Sequence, residues 1–241
     1  MSTRIALTIG SLVILMFVVG ALILLEPEWV VAQLRKRSPE VVYSIDTQEL
    51  MVALTIDDGP DALETPKILD SLKRHEARAT FFLITSRIPG NEDLVQRMVA
   101  EGHELANHLG SDYPSIRLDP DEFERQLVES DEVLLKFADV RWFRPGSGWY
   151  NQTMLSIVNE HGYTCALGSV YPFDPQLGSS WFITRYVLWK IQPGSVIVLH
   201  DHGSRGARTA VVLDTILPEL ARRGYQVVTL SELVDSQNAG E

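Results

Sequence analysis

Cysteine is almost absent from this chain: Cys165 is the only one among 241 residues. That excludes an internal disulfide and any zinc site built from several thiolates, so an exported domain would have to hold together by packing alone. Cys165 itself lies in an apolar run and reads as plain core. Excess positive charge is missing too. Lys and Arg number 21 against 32 Asp and Glu, for a formal net charge of −11 and a pI near 5.0. A general nucleic-acid binder needs clustered cations for its phosphate contacts, and broad docking onto an acidic lipid surface needs them as well; neither class fits. Internal repeats and low-complexity tracts are also lacking. What remains, at 45% hydrophobic and 22% charged residues, is an ordinary globular composition long enough for one sizeable domain.

The first positive signal is Ile5 to Leu25, an uncharged run of 21 residues. A helix needs about 20 such residues to cross the hydrocarbon core, and a cleaved signal segment is usually shorter. Residues 1–25 are therefore expected to be an N-terminal anchor in the lipid bilayer. Cleavage after Ala32 is the alternative. Residues 26–48, with two prolines and mixed charge, read as a juxtamembrane linker. Residues 49–235 read as the folded domain and 236–241 as a tail. Arg35, Lys36 and Arg37 follow the run and only Arg4 precedes it, a charge balance that places the domain inside.

From Leu50 onward short apolar strands alternate with helical patterns. Strands are expected at Met51–Ile56, Ala79–Ile84, Glu104–Asn107, Trp142–Phe143, Thr164–Leu167, Ser195–His200 and Gln226–Leu230. Helices are expected at Thr65–His75, Glu92–Glu101, Pro120–Phe137, Gln152–His161 and Ala207–Arg223. This alternation indicates parallel β/α units in an α/β domain of about seven strands, as a barrel or an open sheet. In either arrangement, polar groups at the C-terminal ends of strands form the site.

Four strand ends carry such groups. In Thr55-Ile56-Asp57-Asp58-Gly59-Pro60-Asp61 two adjacent carboxylates leave a buried strand and enter a turn. Successive side chains of an extended chain point apart, so one can bind a metal while the other faces substrate; a turn-forming Asp-Gly pair is the plainer alternative. In Asn107-His108-Leu109-Gly110-Ser111-Asp112 the spacing of His108 and Asp112 allows a shared cation. His103, on the other side of the strand, reads as structural. Phe143-Arg144-Pro145-Gly146-Ser147-Gly148 places an arginine before a rigid turn, and Val198-Leu199-His200-Asp201-His202 ends a strand.

Taken in this order, the four clusters resemble the polysaccharide deacetylases of carbohydrate esterase family 4, the NodB-like homology domain, from about Met51 to Leu233. The resemblance implies a distorted (β/α) barrel and a hydrolase that removes N-acetyl groups from a GlcNAc-containing glycan, chitin-like or peptidoglycan-like. It implies Asp57 as general base, His200 as general acid, Arg144 orienting Asp57, and Asp174 tuning the histidine. It places Asp58 and His108 on a divalent metal, zinc first and Mn²⁺ or Co²⁺ as alternatives. Leu199 would line the acetyl pocket, and a backbone N–H near Ser147 would meet the oxyanion. Trp149 is a candidate sugar contact. The resemblance also points to an extracytoplasmic location in the cell envelope, against the charge balance.

The departures are specific. Asp112 stands where the family has a second histidine, giving an Asp-His-Asp proposal for the metal, with His202 as a spare ligand. Gly146 and Ser147 replace the family's Pro and Tyr, and Pro175 replaces a Trp beside Asp174. These motivate two alternatives: a non-catalytic carbohydrate-binding or scaffold protein of the same fold, and a related amide or ester hydrolase acting on another acylated molecule.

Overall fold

The computed structural model describes residues 28–238 together with Met16 and Gly20. The chain divides into two compact units, Met1–Pro39 and Glu40–Glu241. In the first, helix α1 covers Glu28–Arg37 and ends in three basic residues. The run at residues 5–25 lies outside the described residues apart from those two positions. Among the described residues no helix is long and apolar enough to cross a membrane.

The second unit is built on eight strands: β1 (Val41–Val42), β2 (Met51–Asp57), β3 (Thr80–Leu83), β4 (Glu104–Asn107), β5 (Trp142–Phe143), β6 (Thr164–Ala166), β7 (Val196–His200) and β8 (Gln226–Val228). They run in the order β1-β6-β5-β4-β3-β2-β7, every ladder pairing is parallel, and β8 joins β2 at Met51–Ala53 below the β3 pairing. The two ends of this row are stitched by the segments after β1 and β6. Val170 bridges Ile197, and Ser44 bridges Ser195. The result is the expected distorted barrel, curled and incompletely closed.

Alternation along the strands sorts side chains into two cores. Val52, Leu54 and Ile56 of β2 and Ile197 and Leu199 of β7 face the helices. These are α2 (Thr65–Arg74), α3 (Glu92–Ala100), α4 (Pro120–Leu134), α5 (Gln152–Glu160), α6 (Ser180–Lys190), α7 (Ser204–Arg222) and α8 (Leu230–Asn238). The opposite faces give a second cluster in which Ala53, Ala106 and Ala166 leave space beside Phe82 and Trp142. Side-chain caps start several helices: Asp119 accepts from Glu122 N before α4 and Asn151 accepts from Met154 N before α5.

Most expected elements fall within a residue or two of their observed bounds. Three helices, α1, α6 and α8, lie where the sequence pattern showed none, α1 within the segment read as a linker. The compact unit also begins at Glu40, and β1 pairs with β6 from inside the segment read as linker. The most consequential difference is α7. It starts at Ser204, not Ala207, and takes Gly206 into its first turn. Arg205 thereby becomes a fixed helical residue.

Candidate active site

β2 and β7 end side by side, and their register pairs Asp57 with His200. Both belong to the same inward face, and both are at least nine-tenths buried. Asp57 is held by Arg144, which follows β5. The guanidinium donates from Nη1 to Asp57 Oδ1 at 2.6 Å and to Thr55 Oγ1 at 2.8 Å. Its Nε donates to Ala166 O at 2.9 Å, and Nη2 donates to the Leu167 carbonyl. It also lies 4.0 Å over the Phe82 ring. Donors directed at four acceptors on the ends of two strands, β2 and β6, leave the fork no other orientation, so the carboxylate is fixed and ion-paired.

His200 is set by Asp174, whose two oxygens each lie 3.0 Å from its Nδ1. Asp174 is itself buried, and Arg208 donates to its backbone carbonyl. Burial alone would lower the His200 pKa; the hydrogen bond and charge of Asp174, with Asp57 and Asp58, reverse this and raise it above 6.5. Nδ1 carries the donated proton, which leaves Nε2 for other work.

Asp58 takes the left-handed backbone region, φ 72°, where Arg87 donates to its carbonyl oxygen. Its Oδ1 lies 3.5 Å from His108 Nε2. His108 Nδ1 donates to the Arg144 carbonyl at 2.7 Å, so Nε2 is the nitrogen turned to the carboxylate. Burial would push the Asp58 carboxyl up, but His108, with His200 and Arg205, holds it well below the usual range. The His108 pKa is correspondingly raised, Asp58 and Asp57 outweighing its own burial.

Asp58 and His108, two of the three expected ligands, are thus brought together, and the expected third does not join them. Asp112 is half-exposed and ion-pairs with Arg87 Nη2 at 3.8 Å and Arg205 Nη2 at 3.7 Å. Arg205 Nη1 lies 2.9 Å from Asp58 Oδ2, a buried oxygen that accepts no hydrogen bond. A guanidinium therefore stands between the two carboxylates that were to share a cation. Among the described residues no group of three His, Cys, Asp or Glu side chains closes around one point. The donors as arranged do not fit a divalent ion. The spare candidate, His202, is turned to Asp61, with Nδ1 3.2 Å from its Oδ2.

Leu199 does not line this site. It is fully buried in the core between sheet and helices, because period-two alternation puts it opposite His200. Val198 shares the His200 face, and the alternation of β7 already marks it in the sequence. Ser147 and Trp149 lie on the exposed turn after β5, Ser147 with φ 67° and Trp149 70% exposed. Neither touches the buried carboxylates. The turn needs Gly146 because a Cβ there would meet the Tyr113 carbonyl oxygen at 2.8 Å. Sequence reasoning missed Arg205 altogether, since an arginine in a polar loop carries no periodic signal. His103 is a buried acceptor for Ala79 N, and Cys165 is core, its thiol pushed up to about 12 by burial.

Comparison with known proteins bears on this arrangement. The family model described as polysaccharide deacetylase matches residues 44–166. A peptidoglycan-N-acetylglucosamine deacetylase of Bacillus cereus is 33% identical over 197 residues, covering 80% of this chain and 92% of that protein. A crystal structure of a peptidoglycan N-acetylglucosamine deacetylase bound to a naphthalenyl N-hydroxybenzamide superposes with a TM-score of 0.76 at 34% identity, covering 80% of this chain and 92% of the other. A family 4 acetyl xylan esterase from Clostridium thermocellum, in complex with a cobalt ion, gives 0.72 at 30% identity, with 78% and 92% covered. Deacetylases of this group are generally metal-dependent, and some members are pseudoenzymes.

Proposed function

Because the chain belongs to the polysaccharide deacetylase family, we propose that it hydrolyses N-acetyl groups of a GlcNAc-containing glycan, of the peptidoglycan or chito-oligosaccharide kind. The observation that carries this reading is the pairing of two differently partnered groups on adjacent strand ends: Asp57 clamped by Arg144, and His200 backed by Asp174. Parallel strands lie about 4.8 Å apart, so both groups reach one substrate amide.

Asp57 takes a proton from a water molecule whose oxygen attacks the acetyl carbonyl carbon. The carbon–nitrogen bond of the tetrahedral intermediate then breaks as His200 Nε2 delivers a proton to the departing nitrogen. The products are acetate and the free amine of the sugar. Arg144 keeps Asp57 paired and aimed, and Asp174 keeps His200 protonated until the leaving group needs it. Val198 forms the wall nearest His200, and the exposed turn with Ser147 and Trp149 meets the sugar. An envelope location belongs to the same reading, supported by the uncharged run at residues 5–25 and by the peptidoglycan deacetylases among the relatives.

Acetate release decides it. Full-length protein given acetylated chito-oligosaccharides or peptidoglycan fragments should liberate acetate, and Asp57→Asn should abolish it. Folded protein that releases none from any such glycan, with or without added metal, would overturn the reading. The displaced Asp112 favours a second one, a glycan-binding protein without turnover. Binding alone, however, needs neither a clamped base nor a backed acid.

A further inference from the structure

The place where Asp58, Asp112 and a metal were expected to meet is held by Arg205. Its two terminal nitrogens divide between two carboxylates, Nη1 at 2.9 Å from Asp58 Oδ2 and Nη2 at 3.7 Å from Asp112 Oδ2. The geometry points to Arg205 as the built-in cation of this site, a guanidinium that compensates Asp58 and Asp112 and excludes tight binding of a divalent metal between them.

Four observations support this placement. First, Asp58 Oδ2 is buried and accepts no hydrogen bond, so the guanidinium charge is what compensates it. Second, Arg205 is no loose surface side chain; its side chain is 24% exposed, and it sits in the first turn of α7. Third, the residues flanking that turn fasten the start of α7 to the site on several sides. Gly203 N donates to Asp61 Oδ2, Thr209 Oγ1 donates to the His200 carbonyl, and Arg208 donates to the Asp174 carbonyl. Fourth, the helix approaches so closely because residue 206 is glycine. A Cβ there would meet Glu64 Cβ at 2.7 Å and the Asp201 carbonyl oxygen at 2.8 Å.

The charges make the arrangement self-consistent. An aspartate in place of a neutral histidine adds one negative charge beside Asp58, and Arg205, assisted by Arg87 on Asp112, offsets it. A divalent ion placed about 2.1 Å from Asp58 and His108 would lie close to the guanidinium and be repelled by it. A guanidinium also differs usefully from a metal. Its charge is permanent, and it presents N–H donors of the kind that stabilise a developing oxyanion. That last consequence rests on the deacetylase reading; metal exclusion does not.

Cobalt and zinc titrations of full-length, chelator-stripped protein test it. Wild type should show no cobalt visible band at one equivalent. Arg205→Ala, which frees Asp58, His108 and Asp112, should bind one equivalent on the order of 100-fold more tightly. His108→Ala in that background should remove the gain, and Arg205→Lys, which keeps the charge, should stay metal-poor. Wild type that binds one equivalent as tightly as Arg205→Ala, or that purifies with stoichiometric metal, overturns the proposal. Should Arg205→Ala not fold, the wild-type titration and Arg205→Lys still decide. Acetate release by wild type should persist in a strong chelator; loss with restoration by zinc also overturns it. Protein that neither binds metal nor releases acetate leaves this proposal standing and sinks the deacetylase reading alone.

Discussion

Asp57 and His200 are register partners on adjacent parallel strands, so the base and the acid of the proposed reaction are placed by backbone hydrogen bonding. Their separate partners, Arg144 and Asp174, come from segments far apart in sequence. That division of labour allows the parts to be tested one at a time.

Arg144 should matter to stability as much as to turnover. Replacing it by Ala leaves the Asp57 carboxylate buried without its partner and the Ala166 and Leu167 carbonyls without a donor. A loss of about 3–5 kcal/mol is expected from breaking a buried pair. Urea denaturation measures it, and a loss below about 1 kcal/mol would contradict the clamp.

The Asp174–His200 pair predicts a pH dependence whose sign can be worked out. The folded His200 pKa is raised above 6.5, so its stabilisation is fully present below 6.5 and is lost as pH climbs through the folded value. The stability gap between wild type and Asp174→Asn should therefore be wider at pH 6 than at pH 9. In kinetics the alkaline limb of kcat/KM, where the acid is deprotonated, should move to lower pH in Asp174→Asn. An unmoved limb would remove Asp174 from its assigned role.

Val198 and Leu199 should separate cleanly. Leu199→Ala opens a cavity in the core between sheet and helices and should cost about 2–5 kcal/mol with the preference among acyl groups unchanged. Val198→Ala should cost less and widen tolerance for acyl groups longer than acetyl. Comparative denaturation and rates on acetyl and propionyl substrates distinguish the two.

Gly206→Ala forces the first turn of α7 away from Glu64 and Asp201. Overpacking of this kind should cost about 1–3 kcal/mol in a denaturant titration. The same shift should draw Arg205 off Asp58, so the variant should gain metal affinity in the cobalt titration.

Cys165 should be silent. It is buried, and its thiol is pushed up to about 12. Thiol reagents at neutral pH should label it only at the rate of global unfolding, which a labelling time course with and without urea reveals.

Most of the fold was legible because short apolar strands alternating with amphipathic helices permit few other arrangements. Helices α6 and α8 escaped because Ser180–Lys190 places aromatic residues on several faces and Leu230–Asn238 continues directly from a strand. The residues able to act as base, acid and orienting cation were legible from their positions at strand ends. So was the Asp58–His108 pair, brought to a separation of 3.5 Å.

The third position around that pair was not. Whether Asp112 turns toward Asp58 or toward arginines depends on where α7 enters, and that is set by the contact of Gly206 with a carbonyl in the preceding turn and a side chain more than a hundred residues earlier. Strand periodicity and motif order are local, so the sequence by itself determined the alternating parallel β/α units, their strand ends and the polar residues those ends carry. Charge compensation at Asp58 is non-local, a matter of which cation the packed helices deliver to a buried oxygen. Only the tertiary structure decided that this cation is Arg205.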